Sequence, residues 1–390
     1  MQLTTRRLNR ATLDRQSLLH RAAADVESAV RGAVALQTQS PVSGYIGLWN
    51  RVAGFDPADL DAAYKAGRVL RGNPVRMTLH TVAADEYRTF REATEPSLYA
   101  AKLGGRIAAA GITGAEAYAL AEALYEALFA AGEVRTAREC ETWLADRLDP
   151  ETAKAVWPGI RQYAPVLRAP GAGPWSFTDK VEYTAAPDRP ALRDDTAADT
   201  ALAALILRHI EGFGPVSVAD VAQFAMVQRG RVKKALVPLD LELHQGPNGE
   251  VLYDLPGAAI PDADTPAPPR LMAMWDNVFL AFHDRARTVP PEYRTTLIRN
   301  NGDVLPMLLV DGLAAGVWRT VADDSGERRI EATAFHPLPD DVWTALAEEA
   351  AGLTALLADR EPDVYRRHHH WWDKLAAAVP DRQTVLLPGK

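Results

Sequence analysis

Val216-Ser217-Val218-Ala219-Asp220-Val221-Ala222-Gln223-Phe224-Ala225 is the stretch whose reading decides the fold. It reads as a helix with Ser217 as its N-cap. A helix over 199–211 precedes it, and a basic helix from Arg229 to Leu236 follows. Leu239 to Leu243 and Glu250 to Leu255 then alternate around Pro247-Asn248-Gly249, a hairpin signal. Helix, Ser-capped helix, basic helix and hairpin is the order of a winged helix-turn-helix.

Working outward, the same order recurs. Residues 11–20, 22–38 and 43–52 read as short amphipathic helices, Asp56-Pro57 as a helix start and Gly67 as a stop. Arg68 to Val82 is β-like on both sides of Gly72-Asn73-Pro74. Residues 114–131 and 136–148 read as helices, followed by a hairpin built from 165–168, a turn at 170–174, and strands at 175–177 and 181–183. Pro187 to Asp199 and Pro256 to Pro269 have linker composition. Beyond them, strands are expected at 294–298, 304–310, 313–320 and 328–334, with a tight turn at Asn300-Asn301-Gly302-Asp303 and a helix at about 340–358. The expected architecture is α+β: winged helices over 1–110, 111–190 and 196–258, then a C-terminal β-rich region with terminal helices over 270–390.

A chain of 390 residues is long enough for two or three cores. Its single cysteine, Cys140, excludes an intramolecular disulfide and a cysteine-based zinc site, and reads as a small core residue. No apolar run follows Arg6-Arg7, and no stretch approaches membrane-spanning length, so a cytoplasmic protein with no membrane partner is expected. The net charge of −8 is unevenly spread: residues 1–110 hold 15 Lys+Arg against 10 Asp+Glu, leaving −13 for the remainder. A basic front on an acidic chain either is an ordinary arginine-rich surface or binds a polyanion.

Gln37-Thr38-Gln39-Ser40-Pro41 carries the candidate chemistry. On the helical stripe Val26, Val30, Ala33, the next position is Gln37, where carbon is expected. An inward glutamine is either a satisfied structural amide or part of a wet groove, because an unpaired buried amide costs roughly 1–3 kcal/mol. Ser40, before proline, is biased away from helix, so unwinding near Thr38 or Gln39 lets both glutamines face one cleft. Phosphate-loop, Rossmann, nucleophile-elbow and His-Glu-x-x-His patterns are absent from the sequence. His368-His369-His370 is a metal candidate by type, yet adjacent helical residues point about 100° apart, and packing beside Trp371 and Trp372 is the better reading. No metal or cofactor is expected. Arg76 and His80, on one face of a wing strand, and Arg299 with Asn300, at a hairpin tip, are DNA-contact candidates, each with a structural alternative. Arg229, Arg231, Lys233 and Lys234 look like a recognition helix. Trp275 and Asp276 read as ties between the C-terminal region and the rest.

Leu8-Asn9-Arg10, Gln37-Thr38-Gln39-Ser40-Pro41, Arg76-Met77-Thr78-Leu79-His80, Trp275-Asp276-Asn277, and Asn301 to Pro306 with Trp318-Arg319 occur in this order. Together the fragments resemble the bacterial tandem winged-helix DNA glycosylases of the AlkZ kind, over nearly the whole chain. The resemblance implies three winged helices in a C-shaped scaffold around DNA. It implies excision of bulky N7-alkylguanine, in some members unhooking of interstrand crosslinks, and a possible part in self-resistance to a genotoxic natural product. It makes Gln37 and Gln39 catalytic, with Thr38 where the family has an apolar residue, and treats the recognition helices as scaffold. The expected partner is double-stranded DNA carrying alkylated purines, bound by a monomer. The rival expectation is a non-catalytic winged-helix DNA-binding regulator; the absence of a coiled coil and the polar pair in a core stripe favour the enzyme. A small-molecule hydrolase or drug-sequestering protein is a third expectation.

Overall fold

In the computed structural model, which describes residues 2–98 and 104–388, Val218–Ala225 is a helix. Ser217 caps it as expected: the Asp220 amide donates to Ser217 Oγ (3.2 Å), and the Ser217 amide donates back to the Asp220 carboxylate (2.8 Å). The helices Asp195–Phe213 and Arg229–Leu236 flank it in sequence. The hairpin pairs Glu242–Gln245 with Val251–Asp254 across a turn closed by Gly249 at φ +81°. Met1, residues 99–103 and residues 389–390, which fall within the domain spans expected for 1–110 and 270–390, lie outside the described residues.

The chain divides into two units. The first comprises Met1–Leu60, His209–Asp220 and Asp240–Lys390. Its N-terminal helix, Thr5–Arg15, is fixed to the hairpin and to the end of helix Asp195–Phe213: Arg15 forks onto the Asp254 carboxylate (2.7 and 2.8 Å) and donates to the Ile210 carbonyl. The C-terminal part is a five-stranded antiparallel sheet in the order Gln383–Leu387, Arg328–Ala334, Leu313–Ala322, Met307–Val310, Arg270–Leu271. Helix Asp340–Ala358 packs on this sheet. Trp318 is enclosed in the core, its indole N–H satisfied by the Met272 carbonyl.

The second unit comprises Asp61–Arg208 and Val221–Leu239. It carries the antiparallel pair Val69–Gly72 and His80–Ala83, and the sheet of Arg135–Thr136, Glu182–Ala185 and Val166–Arg168. Gly72 sits against Leu167, where a Cβ would approach Cδ2 to 2.7 Å, so any larger residue there would have to push the Leu167 side chain aside. Helices Gly114–Leu128, Ala137–Ala145 and Pro150–Tyr163 enclose an apolar core that contains Cys140, whose thiol burial pushes up to about 12. Among the described residues, no helix is long and apolar enough to cross a membrane.

Several expectations are corrected. The helix expected over 22–38 is Val26–Gly32 only. It ends because Val34 turns left-handed at φ +66°, a costly conformation for a β-branched residue. Burial holds it there: Val34 lies over Gly212, where a Cβ would come within 2.4 Å of Val34 Cγ2. Pro41 does not stop a helix. It stands at φ −54° immediately before Val42–Trp49 and starts one. Trp175 to Phe177 is a turn, and the second strand of that hairpin is Glu182–Ala185. Arg294 to Ile298 is not a strand: Pro291–Tyr293 opens a 3-10 turn that runs into helix Arg294–Leu297. The following strand begins at Met307 rather than Val304, because Pro306 has no N–H to give the ladder.

Candidate active site

Leu36–Gln37 is a short extended segment between helices Val26–Gly32 and Val42–Trp49. Gln37 and Thr38 are buried and Gln39 is exposed. Gln37 therefore does not sit on a helical stripe. The extended backbone ends at Gln37 and the chain bends at Gln39, so the two amides stand in different surroundings, one enclosed and one at the surface.

The segment is clamped from below by Met274 to Asn277. The Asn277 side-chain amide donates to the Ala35 carbonyl. Asp276 caps the 3-10 turn Asn277–Phe279 and receives both arms of Arg51 at 2.8 Å, a pair withdrawn from solvent. Arg51 also donates to Gln16 Oε1 (3.2 Å), and Gln16 donates to the carbonyls of Gly32 and Gly212. The network thus joins the end of the N-terminal helix, the end of Val26–Gly32 and the end of Val42–Trp49, and all three ends frame the Gln37 segment. Leu36 packs over Gly47, where an added Cβ would stand 3.3 Å from Leu36 Cδ2.

The helix after Gln39 is held by Tyr365. Its hydroxyl bonds Ser43 Oγ (2.9 Å) and accepts from the Met274 amide (3.3 Å), and burial raises its pKa so that it stays a phenol. Trp275, at φ +60°, donates from its indole to the Gly302 carbonyl (3.0 Å) and meets His368 edge to face (5.3 Å). Met274 to Asn277 is therefore tied to three loops: the glutamine segment, the turn at 299–302 and the tail from Tyr365. Asp276, through Arg51, ties the C-terminal region to the rest as expected, whereas Trp275 bonds Gly302 and meets His368 within that region.

The other candidates fall in different environments. Arg76 is not on the wing strand. It lies in the preceding turn at φ +54°, beside Met77 at φ +56°, and the strand starts at His80. His80 is fully buried; its Nδ1 bonds the Thr78 carbonyl (2.9 Å) and its Nε2 bonds Arg76 Nη2 (3.1 Å). A carbonyl only accepts and a guanidinium only donates, so the imidazole is neutral with its proton on Nδ1. Burial, then the adjacent Arg76 charge, push its pKa well below the ordinary histidine value. Arg299 folds back onto the carbonyls of Thr295 and Thr296 and lies over the Trp371 ring (4.3 Å). Asn300 is exposed at the turn tip, which Gly302 closes at φ +91°. Of the basic helix, Arg231 and Lys234 pair with Asp199. The three histidines diverge: His368 to Asp303 (3.4 Å), His369 to the Trp372 ring and His370 to the Trp371 ring.

Asn9 and Arg10 enter from sequence only as part of the fragment Leu8-Asn9-Arg10, without their partners, and Arg51 and Ser43 are not singled out there. Asn9 Nδ2 donates to the carbonyls of Arg287 and Gly312, both at 2.7 Å, and Arg10 pairs with Asp311. Ser43 alone carries a visible signal, a polar residue on the mostly apolar helix Val42–Trp49.

The family model described as DNA glycosylase AlkZ-like matches residues 30–356 of this chain. No curated protein matches it. Among solved structures the chain is similar to the Streptomyces sahachiroi DNA glycosylase AlkZ, with a TM-score of 0.76 and 18% identity over 93% of this chain and 99% of that one.

Proposed function

Because the chain belongs to the AlkZ-like DNA glycosylase family and is a DNA glycosylase, we propose that it hydrolyses the N-glycosidic bond of bulky N7-alkylguanine with Gln37 and Gln39 as its catalytic residues. The observation that supports this reading is the segment itself: a buried amide at the end of an extended segment and an exposed amide in the bend that follows, with the backbone just before them held by Asn277. Alkylation at N7 makes the base cationic, so it departs neutral and needs no general acid. What remains is to place a water beneath an oxocarbenium-like sugar, and amides do this by hydrogen bonding. Glutamine has no proton to give near neutral pH, so an unmodified base stays bound and the lesion's own charge supplies the selectivity. The first lysine of the chain is Lys65, which favours hydrolysis over a Schiff-base lyase step.

Asn300 is proposed as a direct DNA contact, with Arg76, His80 and Arg299 shaping the turns that meet DNA. Interstrand crosslinks and self-resistance to a genotoxic alkylator belong to the same proposal, as does action by a monomer. Three winged helices over 1–110, 111–190 and 196–258, ahead of the region 270–390, are proposed from recurring helices followed by hairpins; Asp195–Phe213, Val218–Ala225, Arg229–Leu236 and the Glu242–Gln245 hairpin are the clearest support.

The test is incubation with N7-alkylated duplex DNA and mass analysis of released bases. Wild type is expected to release the alkylguanine, and the double variant Gln37→Ala with Gln39→Ala to release it about 100-fold more slowly, the scale of losing oriented donors. Undiminished release by the double variant sinks the mechanism; crosslinked DNA left intact by wild type removes the crosslink part.

A further inference from the structure

The tail Arg366–Lys374 is a 3-10 helix, and it is not absorbed by the chemistry above. It begins at Tyr365, which turns left-handed at φ +58° and whose hydroxyl reaches Ser43, four residues after Gln39 in sequence. It is fastened to the turn at 299–302 by three contacts. Trp371 Nε1 donates to Asp303 Oδ2 (2.9 Å), His368 Nδ1 faces the same carboxylate, and Arg299 lies over Trp371. Burial works to raise the Asp303 carboxyl, but these donors together with Asn301 outweigh it, so the group sits below its ordinary value and stays an anion. His368 is held neutral: Arg367 Nε donates to its Nε2 (2.9 Å), and burial lowers its pKa. Trp371 and His368 are thus both engaged with the Asp303 carboxylate.

The exposed charged residues of the tail are mostly cationic. Arg366, Arg367 and Lys374 are exposed, against the single exposed acid Asp373. Lys374 stands 4.5 Å from the Trp371 ring, and among the described residues neither Arg366 nor Lys374 is in an ion pair. Residues 111–390 carry a net −13, so this is a basic island on an acidic background, interleaved with aromatic rings and tied to the helix that follows Gln39. Cations next to half-buried aromatics, on a fixed element beside a reacting site, are suited to gripping a nucleic-acid backbone.

We propose that Arg366, Arg367 and Lys374 contact the phosphates of the DNA duplex flanking the lesion, so that backbone grip at this edge comes from the tail while Arg299 is engaged by the Thr295 and Thr296 carbonyls and the Trp371 ring. The inference rests on the glycosylase reading. The test is the salt dependence of affinity for an undamaged duplex, measured by fluorescence anisotropy with the full chain. The triple variant Arg366→Ala, Arg367→Ala, Lys374→Ala is expected to bind more weakly. Its slope of log affinity against log salt is expected to flatten by about 0.9 for each phosphate that is no longer neutralised, ~2.7 if all three side chains meet phosphate. The variant Arg366→Lys with Arg367→Lys keeps the charge and is expected to keep the wild-type slope. A triple variant with wild-type affinity and slope overturns the proposal. So does a lysine variant that flattens as much as the triple one, since the effect would then come from the tail's packing. If wild type shows the steep slope but releases no alkylguanine, the lesion reading falls and the phosphate surface stands.

Discussion

At Gln37–Gln39 the chain leaves a helix, passes through Val34 at φ +66°, and presents one buried and one exposed amide. At Arg76–His80 it leaves a strand, passes through Arg76 and Met77 at φ +54° and +56°, and closes over a fully buried histidine. Both stretches are polar residues among apolar ones, and both use left-handed non-glycine residues, which cost of order 1–3 kcal/mol each. They differ in exposure. At the first, surrounding side chains bond the backbone before the glutamines, at Ala35, and Gln39 still reaches solvent. At the second, backbone and arginine occupy both ring nitrogens of His80. Polar character in a sequence therefore does not by itself say whether a residue ends up enclosed, as His80 is, or at the surface, as Gln39 is.

The strongest way to break this contrast is to remove the clamp. Asp276→Ala leaves the Arg51 guanidinium buried without its carboxylate, and a buried pair broken on one side costs about 3–5 kcal/mol. Denaturant unfolding should show a loss of that size. A loss below about 1 kcal/mol would mean that the network around Gln16 and Gln37 does not fix the segment. Next comes Gln37→Ala alone. Single-turnover excision is expected to fall by about tenfold or more, with the unfolding midpoint less affected than by Asp276→Ala. Equal stability losses with undiminished excision would make Gln37 a staple like His80.

Much of this arrangement was legible. Ser217, Asp56-Pro57, Gly67, Pro247-Asn248-Gly249 and the helix Asp340–Ala358 carry local chemistry that fixes their own backbone, and each is where the sequence puts it. Asp149-Pro150 is the same signal as Asp56-Pro57, and the helix it opens, Pro150–Tyr163, went unread, as did Ala84–Leu98 and Gly104–Ala109. The glutamine pair was visible as an anomaly, but its geometry was not. Val34, which turns left-handed, packs its side chain against Gly212, a neighbour far off in sequence. Arg51–Asp276 and Ser43–Tyr365 join residues more than two hundred positions apart, and no local pattern reports such a partner.

The second region has its own test, in pH. His80 is neutral when folded, with a pKa well below the ordinary value of about 6.5. Below pH 6.5 the unfolded chain takes up a proton that the folded chain refuses, so stability is retained above that pH and lost as pH falls toward the folded pKa. The slope is at most about 1.4 kcal/mol per pH unit for this one group. His368 and His369 are also depressed and add the same sign, so the comparison must be with His80→Asn. That variant should be less steep between pH 6.5 and 5. An identical slope would mean that His80 is not the buried neutral base described.

The smallest effect is expected at Asn300, and it separates the two regions from a third kind of polar residue. Asn300 is exposed at the tip of the turn, while Asn301 and Asp303 satisfy each other and Trp275 and Trp371 hold the base. Asn300→Ala should shift unfolding by no more than about 0.5 kcal/mol, as surface changes do. A side chain with no structural duty can still show itself in binding. If Asn300 meets DNA, affinity for alkylated duplex falls by a few-fold while the salt slope stays at the wild-type value, because a neutral amide releases no counterion. Unchanged affinity would make the tip an ordinary surface turn and leave the duplex contact at this edge to the cationic tail.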